Sequence, residues 1–543
     1  MVIKEVSAAS WLWVVLALGF GLRLIALQEP LIDKQAWRQT DTAAIARNFH
    51  EEGYTLCYPR VDWRGSTSGH VEANFPLYPY VVSLLYAVAG GTYEWVGRLV
   101  AAMCSTVAAA LLYMLALRLG MEKRGALFGA LFYQLFPLSI YYGRTFMPEA
   151  LMILLSVGAL LAFARWIDSG TGWALAIAVS SAALCFLVKI PTLYLGFPLV
   201  ALAWVRWGWR FALKPSLWLY LVAIISPTVL WYWHASSLFE DTGLTFGIWN
   251  RNGYDKWDRS LLYGLDFYQT MLSRFWHNIY TPIGALLVLA GLLLAPARRR
   301  EWVLWVWMGG LLCYLFLVPE GNRKLHYYQL PFVPVGALFA GRAVAALFGV
   351  GGTNKGWSGF VRNWKSTQRV VIVGALIIGT AAYGIWVLGP YYEQPNNLHK
   401  YYSSCHYAGG IVDAKLPSEA SLLIGDLDEN AGAPHRSQSP TLLYFCHRKG
   451  WQITPDEFES ARLDSFASVG ADYFLVAGGF AMGNEPFWQD LLRRGVSIPS
   501  AYPRKWHDGT EFTRFLSRQV GDDRHFILVS LAAAPKAQSH RGR

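Results

Sequence analysis

Phe75-Pro-Leu-Tyr-Pro-Tyr-Val-Val-Ser-Leu-Leu-Tyr-Ala-Val-Ala-Gly-Gly91 is the apolar stretch whose reading sets the sidedness of everything after it. Around it, runs of roughly 17 to 22 apolar residues, about the length that crosses a hydrocarbon layer, occupy 10–27, 97–117, 125–142, 150–167, 172–188, 190–206, 217–235, 279–296, 302–319, 329–349 and 370–388. If 75–91 crosses too, the basic loop Arg118 to Arg124 falls on the outer face, and every later basic loop follows it. If it does not, the loops Arg118 to Arg124, Arg165 to Asp168, Arg206 to Lys214, Arg298 to Glu301 and Lys355 to Arg369 all lie in the cytoplasm, where Lys and Arg of short loops concentrate. The second reading predicts about eleven spans, with 75–91 as an outer-face helix that dips into the interface. Pro76, Pro79, Tyr78, Tyr80 and Tyr86 suit that position.

Composition sets the class. The 543 residues are 54% hydrophobic and 15% charged, with Trp 25, Tyr 29, Phe 29 and a mean hydropathy of +0.28, which excludes an ordinary soluble enzyme and indicates a polytopic α-helical membrane protein. The net charge of +11 sits in short clusters between apolar runs rather than on one amphipathic face, so it reports topology and not nucleic-acid binding. The run Ser10 to Leu27 lacks a small-residue cleavage site and keeps Arg23, so it reads as a retained span with its N-terminus in the cytoplasm. The outer face then receives 28–74, 143–149, 236–278 and 320–328. It also receives 390–543, where charges, Gly and Pro spread evenly and no run is long enough to span.

Two regions result. Residues 1–389 form the membrane domain, with an outer-face loop at 28–96. Residues 390–543 form an extracytoplasmic α/β domain, because Ser421 to Ile424, Tyr473 to Val476 and Phe526 to Val529 read as short buried strands and Pro455 to Ser468 and Glu485 to Arg494 as helices. Asp426, Asp428 and Glu429 follow the first strand, as a cleft lining or as a solvated loop. Cys104, Cys185 and Cys313 fall in spans. Cys405 and Cys446 could pair in an oxidising compartment. No CxxC or Cys/His metal spacing is present.

Three outer loops carry the chemistry. In Trp37-Arg-Gln-Thr-Asp-Thr-Ala-Ala-Ile-Ala-Arg47, Thr40 or Asp41 could simply cap a helix beginning at Thr42. Alternatively Asp41, or Asp33 eight residues earlier, is a carboxylate at the bilayer edge that accepts a proton from a hydroxyl or amine, raised by desolvation and lowered by Arg38. In Tyr142-Gly-Arg-Thr-Phe-Met-Pro-Glu149, Arg144 and Glu149 precede the next span; Glu149 suits a helix N-terminus, and its cost at the membrane edge suits a site. In Glu320-Gly-Asn-Arg-Lys-Leu-His-Tyr-Tyr-Gln-Leu-Pro331, the group Arg323, Lys324, His326 and Tyr327 either anchors a helix end at headgroups or binds a lipid-linked phosphate.

The order of an acidic loop after the first span, Pro-Leu-Tyr at 76–78, Arg-x-x-x-Pro-Glu at 144–149 and His-Tyr-Tyr-x-Leu-Pro at 326–331 resembles the membrane glycosyltransferases of the C-type fold. It is similar to the bacterial branch related to protein O-mannosyltransferases and lipid A aminoarabinose transferases, over roughly residues 10–390. The resemblance implies sugar transfer from a polyprenyl-phosphate donor to a lipid, glycan or protein acceptor on the outer face of the bacterial cytoplasmic membrane, usually with inversion. It places the catalytic carboxylate near Asp41, with Asp33 the alternative and Glu149 orienting the acceptor or a bridging cation. The aminoarabinose transferases tend to carry a lysine before the Pro-Leu-Tyr helix where this chain has Phe75, so phosphate binding is expected to rest on Arg38, His70, Arg323, Lys324 and His326, with Glu72, Arg144 and Tyr327 beside them. No cofactor or metal site is demanded by a motif, although Asp33, Asp41 and Glu149 could gather around one divalent cation.

Two other classes fit less of the sequence. A transporter would bury charge in mid-span and show repeated halves, whereas charge here gathers in outer loops. A catalytically silent relative that binds an envelope partner would tolerate loss of both Asp33 and Asp41.

Overall fold

A computed structural model describes residues 8–249, 255–348, 364–393, 401–425, 441–454, 457–477, 486–487, 490–491, 494, 496–497 and 526–531. Helices dominate residues 8–393: α1 (Ala8–Arg23), α2 (Ala36–Glu52), α3 (Leu77–Ala89), α4 (Glu94–Leu119), α5 (Lys123–Leu135), α6 (Pro137–Tyr142), α7 (Glu149–Ser169), α8 (Gly172–Val188), α9 (Gly196–Trp207), α10 (Pro215–Thr242), α11 (Leu265–Arg274), α12 (Pro282–Leu293), α13 (Trp302–Leu317), α14 (Pro319–Lys324), α15 (Phe332–Leu347) and α16 (Ser366–Tyr392). Against the expected eleven spans, six helical stretches among the described residues are long and apolar enough to cross a membrane unaided. A seventh arises if the pair Leu265–Ile279 and Pro282–Leu293, bent by 104°, counts as one span. Four shorter apolar helices accompany them, and Leu77–Ala89, from the stretch that set the sidedness, is one of these.

Prolines explain where apolar runs break. The run 125–142 divides at Phe136, because Pro137 has no N–H to donate and fits only the first turn of a new helix. The bend before Pro282 is made at Thr281, which adopts φ 66° and whose hydroxyl accepts the Gly284 N–H. Helices α5 and α15 approach so closely that a Cβ on Gly341 would lie 2.3 Å from the Gly125 carbonyl oxygen, a small-residue contact of the kind that joins helices in lipid.

Charged loops sort by face. Arg118 and Arg300 both bind Asp168, bringing three of the basic loops together at one end of the bundle. At the other end Asp33, Arg144, Glu149, Lys189 and the 320–329 segment meet. There Arg274 donates to the carbonyls of Asn322 and Arg323.

The C-terminal region contains a five-stranded sheet, β1 (Leu422–Gly425), β2 (Gly450–Ile453), β3 (Tyr473–Ala477), β4 (Val496–Ser497) and β5 (Phe526–Ser530), in the order β2-β1-β3-β5-β4. The first three strands are parallel, and β5 runs antiparallel to both β3 and β4. Helices Tyr401–Lys415, Thr441–Phe445 and Ser460–Ser468 accompany it. Asp426, Asp428 and Glu429 lie outside the described residues. Cys405 and Cys446 are both buried, and no disulfide joins them among the described residues.

This sheet domain is fastened to α2 and the loop after it. Arg47 binds Asp62 at 2.6 Å and the Tyr444 carbonyl at 2.8 Å, while Lys449 reaches the same Asp62 carboxylate at 2.7 Å. Burial alone would raise the Asp62 carboxyl, but Arg47 and Lys449 hold it well below the usual carboxylate range. The Gly450 N–H also donates to the Asp62 carbonyl, so β2 is tied to the loop by backbone as well as by charge.

Candidate functional site

Helix α2 begins at Ala36, directly after Gln35 turns the chain through the left-handed region at φ 66°. The helix therefore starts six residues before Thr42, and Asp41 stands in its second turn rather than at its cap. The capping reading of Thr40 and Asp41 is thereby replaced: Thr40 instead bonds back to the Ala36 carbonyl, as mid-helix threonines do. The Asp41 carboxylate is 1% exposed. Its Oδ1 accepts the Trp63 indole N–H at 3.2 Å, and its Oδ2 lies 3.9 Å from Arg38 and has no hydrogen-bond partner. Burial raises its pKa to about 7 against the lowering pull of Arg38 and Trp63. A carboxylate so placed changes protonation near neutral pH.

Asp33 has a different environment. It is held by Arg144, by Arg98 at 3.5 Å and by the Gln39 amide at 2.5 Å, and Gln39 in turn accepts the Phe146 N–H. Arg144 also donates to the Ala26 carbonyl. These partners make Asp33 the hub that holds the first outer loop against α4 and the 143–149 turn, with its lone pairs already committed.

Glu149 opens α7 and pairs at 2.7 Å with Lys189, the residue that ends α8. Lys189 was not among the residues singled out from sequence. Its ammonium lies 5.2 Å from the Tyr327 ring and 5.7 Å from Tyr328. With Arg38 and Lys256 it lines a cavity of about 480 Å³. Burial, with Lys189 and Arg38 adding to it, lowers Lys256 to about 8. Asn74 and Tyr327 add polar groups to the lining. The rest of the lining is largely apolar and includes Leu193, Phe197, Cys313 and Leu317, all four of them exposed. One cavity thus joins three cations to exposed apolar side chains. Arg38 stacks on Phe246 at 4.9 Å and also faces Asp41, so it connects the cavity to the buried carboxylate.

The remaining residues expected from sequence take other positions. Arg323 and Lys324 pair with Glu320 at 2.6 Å and 3.2 Å and do not line the cavity. His326 is buried against the Tyr142 hydroxyl at 2.7 Å; burial, with Lys34 and Arg274 nearby, keeps its pKa well below the ordinary histidine value. His326 does not line the cavity. His70 lies on the outer loop with Arg60 and Ser68, away from the cavity. Glu72 accepts from the Thr245 hydroxyl, and its backbone bonds to Leu244 and Phe246, which fastens the 244–247 segment over the site. Among the described residues no three His, Cys, Asp or Glu side chains are grouped to hold a metal ion, so Asp33, Asp41 and Glu149 do not converge as a ligand set.

Residues 73–233 match the family model described as dolichyl-phosphate-mannose-protein mannosyltransferase, a segment that includes Asn74, Glu149 and Lys189. No curated protein matches the chain in sequence. The crystal structure of the Archaeoglobus fulgidus oligosaccharyltransferase in its apo form is similar with a TM-score of 0.53 and 15% identity, over 87% of this chain and 70% of that one. The archaeal oligosaccharyltransferase AglB from Archaeoglobus fulgidus, in complex with an inhibitory peptide and a dolichol-phosphate, is similar with a TM-score of 0.51 and 14% identity, over 86% of this chain and 69% of that one. The chain has the fold of the C-type membrane glycosyltransferases.

Proposed function

We propose that this protein transfers a sugar from a polyprenyl-phosphate donor to an acceptor on the outer face of the bacterial cytoplasmic membrane, inverting the anomeric centre, with Asp41 as general base. The observation that carries the proposal is a cavity that brings three cations together with exposed apolar side chains. A polyprenyl-phosphate sugar is two-ended, an anion attached to a long hydrocarbon, and few other ligands need three cations and exposed apolar side chains in one continuous space.

Each residue then has a role that follows from its surroundings. Arg38, Lys189 and Lys256 bind the phosphate and stabilise the charge that grows on it as the sugar leaves. Leu193, Phe197 and Leu317 receive the first isoprene units. Glu149 keeps Lys189 charged and in place through its 2.7 Å contact. Asp41 takes the proton of the acceptor hydroxyl, the acceptor oxygen bonds to the anomeric carbon, and the bond from that carbon to the phosphate oxygen breaks to release polyprenyl phosphate. One displacement with one base gives inversion. Phosphate leaves as a stable anion, so no strong acid is required.

Asp33 is a scaffold residue in this scheme, since two arginines and an amide already occupy it. The sheet domain, placed outside with the loops it contacts, positions α2 from above through Arg47, Asp62 and Lys449. Incubation of the purified protein with a pool of polyprenyl-phosphate sugars and an envelope extract tests the proposal. Labelled sugar is expected to leave the prenyl carrier and appear on an acceptor; retention of every sugar on its carrier would sink it.

A further inference from the structure

A second cavity, of about 300 Å³ and lined by different residues, lies where the outer loop meets the edge strand β2. Its walls are the rings of Trp63, Trp451 and Phe466, and its rim carries Ser66, Thr67 and Gln452. We infer that this groove is the acceptor subsite and that its occupant is a neutral saccharide, so the acceptor is a glycan; the inference rests on the glycosyltransferase reading above.

Three features support that occupant. Aromatic faces bordered by hydroxyl and amide groups suit a sugar ring, which offers a C–H face to an indole and hydroxyls at its edge. The rim's guanidinium is already committed, since Arg64 is held by both oxygens of Glu52 at 2.9 Å and 2.7 Å, so an anionic ligand would have to compete for it. A peptide adding to β2 as a further strand meets an edge already paired at Gly450, whose carbonyl accepts the Gly65 N–H at 2.8 Å and whose N–H donates to the Asp62 carbonyl at 3.0 Å.

The groove also communicates with the proposed base. Trp63 forms its wall and donates its indole N–H to Asp41, so a sugar stacked on this ring is one side chain away from the carboxylate. Phe246 packs edge-on against Trp63 at 5.9 Å and is stacked by Arg38 on its way to the donor cavity. Donor cavity and groove therefore flank a single Arg38–Asp41 unit. Gly65 sets the groove's width: it adopts φ +56°, and a Cβ there would come within 2.7 Å of the Trp451 indole nitrogen.

Saturation-transfer NMR on the full chain in detergent, with a panel of neutral di- to tetrasaccharides of hexoses and pentoses and with an unstructured hexapeptide as the competing class, tests the assignment. At least one saccharide is expected to bind, with affinity reduced about tenfold by Trp451→Ala and kept within about threefold by Trp451→Phe, which retains a stacking ring and serves as the folding control. Gly65→Ala is expected to weaken the same saccharide by displacing Trp451. In the transfer assay Trp451→Ala is expected to raise the acceptor KM about tenfold. Saccharide binding indifferent to Trp451→Ala, no saccharide binding at all, or peptide binding lost with Trp451→Ala would each overturn the inference. Because binding needs no turnover, a chain that binds saccharide through Trp451 and transfers nothing overturns the glycosyltransferase reading and the acceptor role with it. Transfer at unchanged KM in Trp451→Ala overturns the acceptor inference alone.

Discussion

Lys189→Met removes one cation from the donor cavity and leaves Glu149, 1% exposed, without its ion-pair partner. Two effects of different size follow. Breaking a buried pair by deleting one member costs about 3–5 kcal/mol, because the remaining charge is neither solvated nor paired. Losing one charge-assisted hydrogen bond to the donor phosphate costs about 1.5–3 kcal/mol of binding, roughly ten- to a hundredfold in Kd. The double variant Lys189→Met/Glu149→Gln separates them. Neutralising Glu149 removes the stranded charge, so thermal stability in detergent is expected to recover most of its loss. Donor affinity is not expected to recover, since the phosphate still lacks its ammonium. Melting curves and polyprenyl-phosphate binding of wild type, both single variants and the double variant form a complete cycle. If the double variant regains wild-type donor affinity, Lys189 acts only as the counter-ion of Glu149 and the phosphate assignment is wrong.

Protonation of Asp41 governs a second set of outcomes. With its pKa raised to about 7 by burial, transfer is expected to rise with pH through that value as the carboxylate ionises, and Trp63→Phe, which deletes a hydrogen bond to the charged form, is expected to shift the rising limb to higher pH. The folded state holds this proton over pH values where the unfolded chain has released it, so the group's contribution to stability is present below pH 3.8 and is lost as pH rises through about 7. Asp41→Asn is accordingly expected to melt higher than wild type at pH 8. Asp62→Asn removes a carboxylate shared by Arg47 and Lys449 and is expected to cost about 3–5 kcal/mol, read as early proteolysis at the seam between α2 and the sheet domain. Gly341→Leu drives a side chain into the Gly125 backbone, and loss of the folded peak in size-exclusion chromatography is the expected result.

The elements that were readable from the sequence are those fixed by local pattern. The four- and five-residue apolar runs at Leu422, Tyr473 and Phe526 are strands in the structure, because such short runs bounded by polar residues have little else to form. The contrast between the surroundings of Asp33 and Asp41 was not readable, because the partners of Asp33, Arg98 and Arg144, come from elements 65 or more residues away. Lys189 escaped notice as a single charge between two apolar runs, although a lone lysine at a turn near the membrane surface is itself a signal of function. Its partner Glu149 is contributed by another helix, so spacing along the chain could not join them. The placement of Arg323 and Lys324 was locally legible. Glu320 stands three and four residues before them on a short helix, the spacing at which side chains pair with each other before they reach a ligand. Hydropathy windows do not register breaks such as Phe136–Pro137 or the bend at Thr281, so the apolar runs read from the sequence are longer than the helices they contain.

The most direct measurement compares polyprenyl-phosphate sugar transfer by wild type, Asp41→Asn and Asp33→Asn in one purified, folded preparation. Asp41→Asn is expected to bind donor normally and to lose turnover by roughly 10²–10⁴-fold, the usual contribution of a general base, whereas Asp33→Asn is expected to lose thermal stability. Wild-type turnover by Asp41→Asn, in a preparation that demonstrably transfers sugar, would contradict the assignment of the base.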